Sequence, residues 1–178
     1  MIVKRGYVQI YTGDGKGKTT AAMGLALRAA GNGLSVRIFQ FCKNTPSGEL
    51  FALKKLDRVT LQRAEHDCAK FTWDMNEAER AEWLEAHHAL FDAACEAACE
   101  EGADLVILDE ALGAMHAGAV DQSQLLYLMT HKNKGTELVL TGRDAPQALI
   151  EAADYATEMR MVKHPYEQGV PARKGREY

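Results

Sequence analysis

The sequence predicts an α/β fold in three layers, with a central, mostly parallel sheet of about six strands between two layers of helices. Segments typical of strands alternate with segments typical of helices along the chain, which is the pattern of right-handed βαβ units. Leu105–Leu108 and Leu138–Leu140 are unbroken apolar runs, as expected for strands that are buried on both faces of a parallel sheet. With 178 residues, the chain has the length of one ordinary domain, and we expect residues 1–178 to form a single one.

The composition excludes several classes of protein. Apolar residues make up 47% of the chain, which supports a substantial core and argues against disorder. The net charge of −4 disfavours non-specific binding to nucleic acid, which needs a basic surface. No run approaches the ~20 apolar residues that span a membrane, and the first residues lack the pattern of a signal peptide. The cysteines form no Cys-x-x-Cys pair and are typical of reduced thiols, so we expect a cytoplasmic location.

Turn residues, apolar patterns and capping signals predict where the elements lie. Strands are predicted at 7–11, 36–41, 59–61, 105–108, 138–140 and 157–162. Helices are predicted at 19–30, 49–55, 77–101, 121–131 and 146–153. Asn76 and Glu79 resemble a capping box that opens the longest helix. The segments 66–74 and 163–178 show no clear period and are predicted to be irregular.

A glycine-rich segment lies between the first strand and the first helix, with the sequence Gly13-Asp14-Gly15-Lys16-Gly17-Lys18-Thr19-Thr20. It resembles the P-loop pattern G-x-x-x-x-G-K-[ST], except that Thr12 stands in place of the first glycine. Glycines let backbone N–H groups converge on a phosphate, while Lys18 would reach phosphate oxygens and Thr19 would ligate Mg²⁺. This motif predicts a P-loop NTPase-like (RecA-like) sandwich. The alternative is a glycine-rich turn with solvated lysines.

Two carboxylates, Asp109 and Glu110, follow the buried strand at 105–108. Apolar residues followed by carboxylates are typical of a Walker B segment, and Mg²⁺ prefers such oxygen ligands. Because parallel strands end at one edge of the sheet, both carboxylates are expected near Thr19. The alternative is a pair that only caps the next helix. The two motifs together predict a nucleoside triphosphate with Mg²⁺, or with Mn²⁺ in its place, but not which bond breaks.

Several segments in a fixed order resemble the ATP:corrinoid adenosyltransferases of the CobA/BtuR type, which act on cob(I)alamin or cob(I)yrinic acid a,c-diamide. The matching segments are Tyr11–Ala22, Arg28–Gly31, Gln40-Phe41, Phe71-Thr72-Trp73, Leu108-Asp109-Glu110, Val139–Arg143, Leu149–Asp154, Glu158–Arg160, Val162–Tyr166, Gly169-Val170 and Lys174-Gly175. The resemblance extends from about Gly6 to Tyr178. The loop of that family also departs from the standard P-loop at the position of Thr12.

This resemblance implies transfer of the 5′-deoxyadenosyl group of ATP to the cobalt(I) of a reduced corrinoid, with release of inorganic triphosphate. Cobalt(I) is itself the nucleophile, so the family needs no nucleophile from the protein. ATP would lie in the loop with its γ-phosphate where other P-loops hold the β-phosphate. The resemblance also implies a reduced flavoprotein as the electron donor and a homodimer as the assembly.

The resemblance further implies roles for individual residues. The expected ATP contacts are Gly13, Asp14, Gly15, Lys16, Gly17, Lys18, Thr19, Thr20, Arg28 and Arg143. The expected metal ligands are Thr19, Asp109 and Glu110, and the expected corrinoid contacts are Gln40, Phe41, Phe71 and Trp73. Phe71 and Trp73 would expel the lower axial ligand of the corrin and so ease the reduction of cobalt(II); with Lys18 and Thr19 they form the expected catalytic set.

Alternatives remain for the function and for some residues. The chain fits a P-loop ATPase or phosphotransferase with another substrate, and it fits a corrinoid carrier or ATP-sensing regulator without turnover. Arg28 is equally compatible with a solvated surface position. Phe71 and Trp73 are also compatible with packing in the core, as is usual for aromatic residues. The basic tail at 160–178 is either a solvated surface or a segment folded over the triphosphate or a subunit interface.

Overall fold

The computed structural model describes residues 5–43, 47–65, 70, 72–100 and 102–176. Phe71, an expected corrinoid contact, and Glu101, the predicted last residue of the longest helix, lie outside the described residues.

Within the described ranges the chain forms six strands, six α-helices and two 3₁₀ turns. The strands are β1 (Val8–Thr12), β2 (Val36–Gln40), β3 (Val59–Arg63), β4 (Leu105–Asp109), β5 (Glu137–Thr141) and β6 (Tyr155–Glu158). The helices are α1 (Lys18–Gly31), α2 (Gly48–Leu53), α3 (Glu77–Cys99), α4 (Ala111–His116), α5 (Gln122–His131) and α6 (Gln147–Ala152). The 3₁₀ turns are Thr72–Asp74 and Pro165–Gln168.

All six strands are parallel and lie in the order β3-β2-β4-β5-β1-β6. The expected mostly parallel sheet is therefore confirmed as a fully parallel one. The register pairs Gln40 of β2 with Asp109 of β4, and Tyr11 of β1 with Thr141 of β5. Because the strands all run in the same direction, their carboxyl ends lie at one edge of the sheet, where parallel α/β sheets bind their ligands. The strand order makes β2, β4, β5 and β1 neighbours at that edge.

Successive residues of the central strands face two different apolar cores. Ile38 and Ile107 belong to the core that contains Ala22 of α1. Phe39 and Leu108, the next residues along the same strands, belong to the core formed with α3 and α5. Because side chains alternate between the faces of a strand, the central strands are buried on both sides. This explains their unbroken apolar sequences and produces three layers.

The longest helix begins as its capping signal predicts. The Asn76 side chain accepts a hydrogen bond from the Glu79 N–H at 2.9 Å, and the Glu79 carboxylate accepts one from the Asn76 N–H at 2.9 Å. α3 then continues to Cys99. Within the described ranges, no helix is both long and apolar enough to cross a bilayer.

The last strand lies earlier in the chain than the sequence indicated. The prediction of a strand at 157–162 is wrong, because β6 spans Tyr155–Glu158. Its register on β1 ends where Thr12 pairs with Glu158, and β1 itself ends at Thr12. Beyond that point there is no β1 residue left to pair with, and the chain bonds to the glycine-rich loop instead.

Three short elements were not predicted. α4 and the two 3₁₀ turns have six residues or fewer, which is too short for a helical period to show in the sequence. α4 matters for the site because it begins directly after Glu110.

Candidate active site

The glycine-rich loop joins the end of β1 to the start of α1. Gly13 and Gly17 have φ angles of 100° and 118°, which glycine adopts without steric cost. Gly17 immediately precedes Lys18, the first residue of α1. The N–H groups in the first turn of a helix have no partner within the helix. Together with the helix dipole, they make this loop an anion-binding site.

The segment after β6 supports the loop. The Gly15 N–H donates to the Met159 carbonyl at 2.6 Å, and the Met159 N–H donates to the Thr12 carbonyl at 2.8 Å. The Met161 N–H donates to the Asp14 carboxylate at 3.0 Å, and this hydrogen bond lowers the pKa of Asp14. These bonds hold the loop against the edge of the sheet.

This support leaves no room for a side chain at position 15. A Cβ atom added to Gly15 would lie 2.5 Å from the Met159 carbonyl oxygen. We expect Gly15→Ala to weaken ATP binding at least about tenfold and to lower the free energy of unfolding by about 1–3 kcal/mol, because backbone atoms must shift. Titration calorimetry with ATP and thermal melting measure the two effects.

Gly24 provides the matched control, since a Cβ atom added there meets nothing within 4 Å. Gly24→Ala lies within α1 and should raise the stability by up to about 1 kcal/mol, with ATP binding unchanged. Wild-type ATP affinity in Gly15→Ala would show that the loop does not need this close backbone contact.

Lys18 folds back into the loop that precedes it. Its Nζ donates to the carbonyl oxygens of Gly13 at 2.6 Å and Gly15 at 2.9 Å. Partial burial lowers the pKa of Lys18, and the nearby carboxylate of Glu110 opposes this effect. The ammonium group is held inside the loop by neutral carbonyl groups, so its charge is directed at the site where a phosphate would bind.

Asp109, the last residue of β4, is completely buried and lies at the centre of the polar network. Its Oδ1 accepts hydrogen bonds from the hydroxyls of Thr19 at 2.9 Å and Thr141 at 2.7 Å. Its Oδ2 accepts hydrogen bonds from Lys43 Nζ at 2.6 Å and Gln40 Nε2 at 3.1 Å. The carboxylate therefore connects the first turn of α1 to β5, to β2 and to the segment that follows β2.

Lys43 is a residue of the site that the sequence did not reveal. Its ammonium donates to the Thr19 hydroxyl at 3.1 Å and forms an ion pair with Asp109 at 2.6 Å. The side chain is 25% exposed. The only signal in the sequence is a lysine just beyond the end of a predicted strand. The contact between Lys43 and Asp109 depends on β2 and β4 being neighbours in the sheet, and no local sequence pattern predicts that arrangement.

A buried histidine fixes the backbone just before Lys43. His87 of α3 is fully buried, and its Nε2 accepts a hydrogen bond from the Cys42 N–H at 3.1 Å. Its Nδ1 lies 2.8 Å from the Trp83 carbonyl oxygen, so the proton belongs on Nδ1 and the ring is neutral. Cys42 has a φ angle of 53°, and this hydrogen bond holds it in that conformation.

Glu110 occupies a strained turn between β4 and α4. Its φ angle is 62°, and its N–H donates to the Thr141 hydroxyl at 2.9 Å. A Cβ atom at Gly113 would lie 2.7 Å from a Glu110 carboxylate oxygen. Burial raises the pKa of Glu110, and the charge of Asp109 raises it further. Residues other than glycine that are held at a positive φ angle are found mostly at functional sites, so the conformation of Glu110 is consistent with a functional role.

Gln40 and Phe41 do not lie where their expected corrinoid contacts require. Both side chains are completely buried. The amide oxygen of Gln40 accepts hydrogen bonds from Arg63 Nε at 3.0 Å and Nη2 at 2.8 Å. Phe41 lies in the core, with its ring centroid 6.1 Å from that of His87. The structure therefore gives both side chains structural roles, because Gln40 ends an interior strand of the sheet and Phe41, the next residue, packs in the core.

Trp73 lies on the surface. It belongs to the 3₁₀ turn Thr72–Asp74, and 76% of it is exposed. The alternative that Trp73 packs in the core is therefore wrong. Its ring is therefore accessible from the solvent, as the expected corrinoid contact requires.

The structure brings one of the two expected arginines to the loop. Arg143, just after β5, lies close enough to Lys18 and Asp14 for its charge to lower the pKa of both. Arg28 lies in the last turn of α1, about 15 Å along the helix axis from Lys18. Thr20 is exposed in the first turn of the same helix.

The C-terminal tail is folded against the loop. Lys16 Nζ donates to the Arg176 carbonyl at 3.4 Å. A cleft of about 520 Å³ lies beside this contact, and its basic lining residues include Lys16, Arg160, Lys163 and Arg173. The tail thus adds positive charge beside the phosphate loop.

The oxygen atoms expected to hold a divalent cation lie at this edge of the sheet. The Thr19 hydroxyl and the Asp109 carboxylate are in direct contact, and both are hard ligands of the kind that Mg²⁺ prefers. The ammonium of Lys43 contacts the same two groups, so a positive charge already lies beside them. The donor chemistry of the two oxygens therefore fits a divalent cation, whereas the ammonium of Lys43 opposes its charge.

Comparison with solved structures supports the fold. The EssC protein of Geobacillus thermodenitrificans (its ATPases 2 and 3) aligns with a TM-score of 0.51 at 16% identity, over 97% of this chain and 36% of that one. A KaiC-like protein of Pyrococcus horikoshii aligns with a TM-score of 0.50 at 14% identity, over 90% of this chain and 75% of that one. These similarities confirm the P-loop NTPase-like fold and show nothing beyond the fold.

Sequence comparison identifies the family. A corrinoid adenosyltransferase of Pseudomonas aeruginosa is 31% identical to this chain, and the alignment covers 98% of this chain and 85% of that protein. A corrinoid adenosyltransferase of Escherichia coli K12 is 33% identical, and the alignment covers 98% of this chain and 87% of that protein. The corrinoid adenosyltransferase CobA of Salmonella typhimurium is 32% identical, over 98% of this chain and 87% of its own. Residues 4–178 match the family described as ATP:corrinoid adenosyltransferase BtuR/CobO/CobP. The chain belongs to that family of transferases.

Proposed function

We propose that this protein transfers the 5′-deoxyadenosyl group of ATP to the cobalt(I) of a reduced corrinoid and releases inorganic triphosphate. The observation that carries the proposal is the hydrogen bond from Thr19 to Asp109 at 2.9 Å. It joins a phosphate loop to a Walker B carboxylate in a chain that matches the family over residues 4–178. The corrinoid donates an electron pair to C5′, the C5′–O bond breaks, and triphosphate leaves with the bonding pair.

The protein acts on the leaving group. Negative charge develops on the triphosphate as the C5′–O bond breaks, and preorganised positive groups stabilise it best. Lys18, held inside the loop, and the N–H groups at the start of α1 are such groups. Lys16 in the loop and Arg143 beside it add further positive charge. Because the corrinoid is the nucleophile, the proposal assigns none to the protein.

The proposal includes a divalent cation held by Thr19, Asp109 and Glu110. Bound Mg²⁺, or Mn²⁺ in its place, would neutralise part of the triphosphate charge. The direct contact between Thr19 and Asp109 and the burial of Glu110 next to them support this ligand set.

The substrate and the partners follow the family. We propose cobalamin, cobinamide or an a,c-diamide precursor as the corrinoid, a reduced flavoprotein as the electron donor, and a cytoplasmic homodimer as the assembly. The need for one chain of 178 residues to hold both ATP and a wide corrin ring supports help from a second subunit.

A spectroscopic assay tests the proposal. With Mg-ATP and chemically reduced cob(I)alamin, we expect the cobalt(I) absorption to be replaced by that of an alkylated cobalt(III) corrinoid. ATP consumption should depend on the corrinoid. ATP consumed at the same rate without any corrinoid would contradict the proposal.

Trp73 is expected to act on the cobalt(II) corrinoid. If its exposed ring displaces the lower axial ligand, Trp73→Ala should slow the reaction from cobalt(II) by at least about tenfold. With preformed cobalt(I), which has no such ligand to lose, the loss should stay below about threefold. Parallel assays that start from cobalt(II) with a reductant and from cobalt(I) separate the two cases.

Tyr127 provides the control, since it is another aromatic residue with a large exposed fraction, 62%, on α5. Tyr127→Ala should leave both rates unchanged. Equal losses for Trp73→Ala in the two assays would assign Trp73 a structural role instead.

A further inference from the structure

The ammonium of Lys43 lies between two of the proposed metal ligands. It is 3.1 Å from the Thr19 hydroxyl oxygen and 2.6 Å from Asp109 Oδ2. A lysine in this position already makes the contacts that a cation would make there. Lys43 and a divalent cation therefore compete for the same oxygen atoms.

Asp109 needs a positive partner when no metal is bound. Its carboxylate is completely buried, and its other three donors, Thr19, Thr141 and Gln40, are neutral. A buried charge without an opposite charge is strongly unfavourable. Lys43 supplies that charge.

A bound divalent cation removes this need and repels the ammonium. Two positive charges a few ångströms apart in a partly desolvated site oppose each other strongly. The backbone before Lys43 is held by the hydrogen bond from Cys42 to His87 at 3.1 Å, so the flexible four-carbon side chain has to move. The side chain is 25% exposed, and Thr19, which it contacts, lies in the first turn of α1, directly after the anion-binding loop.

We propose that the ammonium of Lys43 occupies the metal site when no metal is bound and neutralises Asp109 there. When Mg²⁺ binds, the Lys43 side chain moves to the triphosphate. This inference rests on the metal site of the proposed function. It means that the site disfavours a divalent cation alone and favours one that arrives with a triphosphate, because the triphosphate provides a new partner for the displaced ammonium.

Binding of Mn²⁺ to the nucleotide-free protein tests the inference directly. Removal of the competing charge in Lys43→Met should tighten Mn²⁺ binding by about tenfold, measured by electron paramagnetic resonance or calorimetry. Lys43→Arg keeps the charge and should bind Mn²⁺ as the wild type does. Lys54→Met, which removes an exposed lysine just after α2, should also leave Mn²⁺ binding unchanged.

Thermal melting provides a second readout that does not depend on tight metal binding. In a chelator, Lys43→Gln should melt below the wild type, because Asp109 loses its ion pair. Added Mn²⁺ should raise the melting temperature of Lys43→Gln more than that of the wild type. In the presence of Mg²⁺, Lys43→Met should also bind ATP more weakly than the wild type.

Unchanged or weaker Mn²⁺ binding in nucleotide-free Lys43→Met would overturn the inference. These measurements use neither a corrinoid nor turnover, so a protein that lacks adenosyl transfer but shows the tightened Mn²⁺ binding would contradict the proposed reaction alone. A failure of every variant to bind Mn²⁺, even with ATP, would overturn both the metal ligand set and the role of Lys43.

Discussion

Replacement of Lys18 by alanine is expected to lower kcat/KM for ATP by about 10²- to 10³-fold, the usual effect of removing a preorganised charge from a reaction centre. The ammonium is aimed into the loop by the carbonyl groups of Gly13 and Gly15. The positive charge is thus held in the loop before the triphosphate binds. Steady-state kinetics with a saturating reduced corrinoid measure the effect.

The stability of Lys18→Ala should remain close to that of the wild type or rise. Partial burial already disfavours the charged form of Lys18 and lowers its pKa, so its removal relieves a cost of folding. Lys16→Ala is the matched control, because Lys16 is an exposed lysine of the same loop; its loss should cost less than about tenfold in kcat/KM. Equal losses in the two variants would contradict the special position of Lys18.

Replacement of Asp109 by asparagine is expected to lower the free energy of unfolding by about 3 kcal/mol, the low end for breaking a buried ion pair. The four groups that donate to its carboxylate belong to Thr19, Thr141, Lys43 and Gln40. An asparagine places its NH₂ group either against the nitrogens of Lys43 and Gln40, which cannot accept, or against the hydroxyls of Thr19 and Thr141, which must then turn to accept. Adenosyl transfer should fall by more than about 10²-fold, since the proposed metal ligand is lost.

A double-mutant cycle identifies the source of this cost. Asp109→Asn leaves the Lys43 ammonium without its carboxylate, so adding Lys43→Met should recover part of the lost stability. The two losses are then less than additive, as expected for residues in direct contact at 2.6 Å. Fully additive losses in urea unfolding would show that the ion pair contributes nothing to the fold.

The parts of the site that the sequence predicted are those contained in single segments. The phosphate loop needs only a strand, three alternating glycines and a helix in succession, and the structure has them in that order. Asp109 likewise follows its apolar strand directly. Its contact with Thr19 was expected because all parallel strands end at one edge, and the hydrogen bond at 2.9 Å confirms it.

The parts that the sequence missed depend on the order of the strands. Lys43 meets Asp109 because β2 lies beside β4, and Thr141 meets it because β5 lies on the other side. His87 reaches Cys42 from a helix that is 45 residues away in the sequence. The periodicity of the sequence cannot predict these contacts, because they depend on how the whole sheet and its helices pack.

Two kinds of error have simple physical causes. Gln40 and Phe41 were expected to contact the corrinoid because of the family resemblance at the end of the second strand, but that strand lies inside the sheet and both side chains are buried. The last strand was predicted too late in the chain, at 157–162, a range that includes Met159 and Met161. They instead hydrogen-bond to the loop through their backbones.

The identity of the phosphate product tests the central claim most directly. Protein, Mg-ATP and cob(I)alamin would be combined under strong reduction, and the products followed by phosphorus NMR alongside the corrinoid absorption spectrum. We expect one inorganic triphosphate for each alkylated corrinoid, with none formed by Lys18→Ala on the same time scale. The appearance of ADP and orthophosphate, with the corrinoid unchanged, would contradict adenosyl transfer and identify an ATPase.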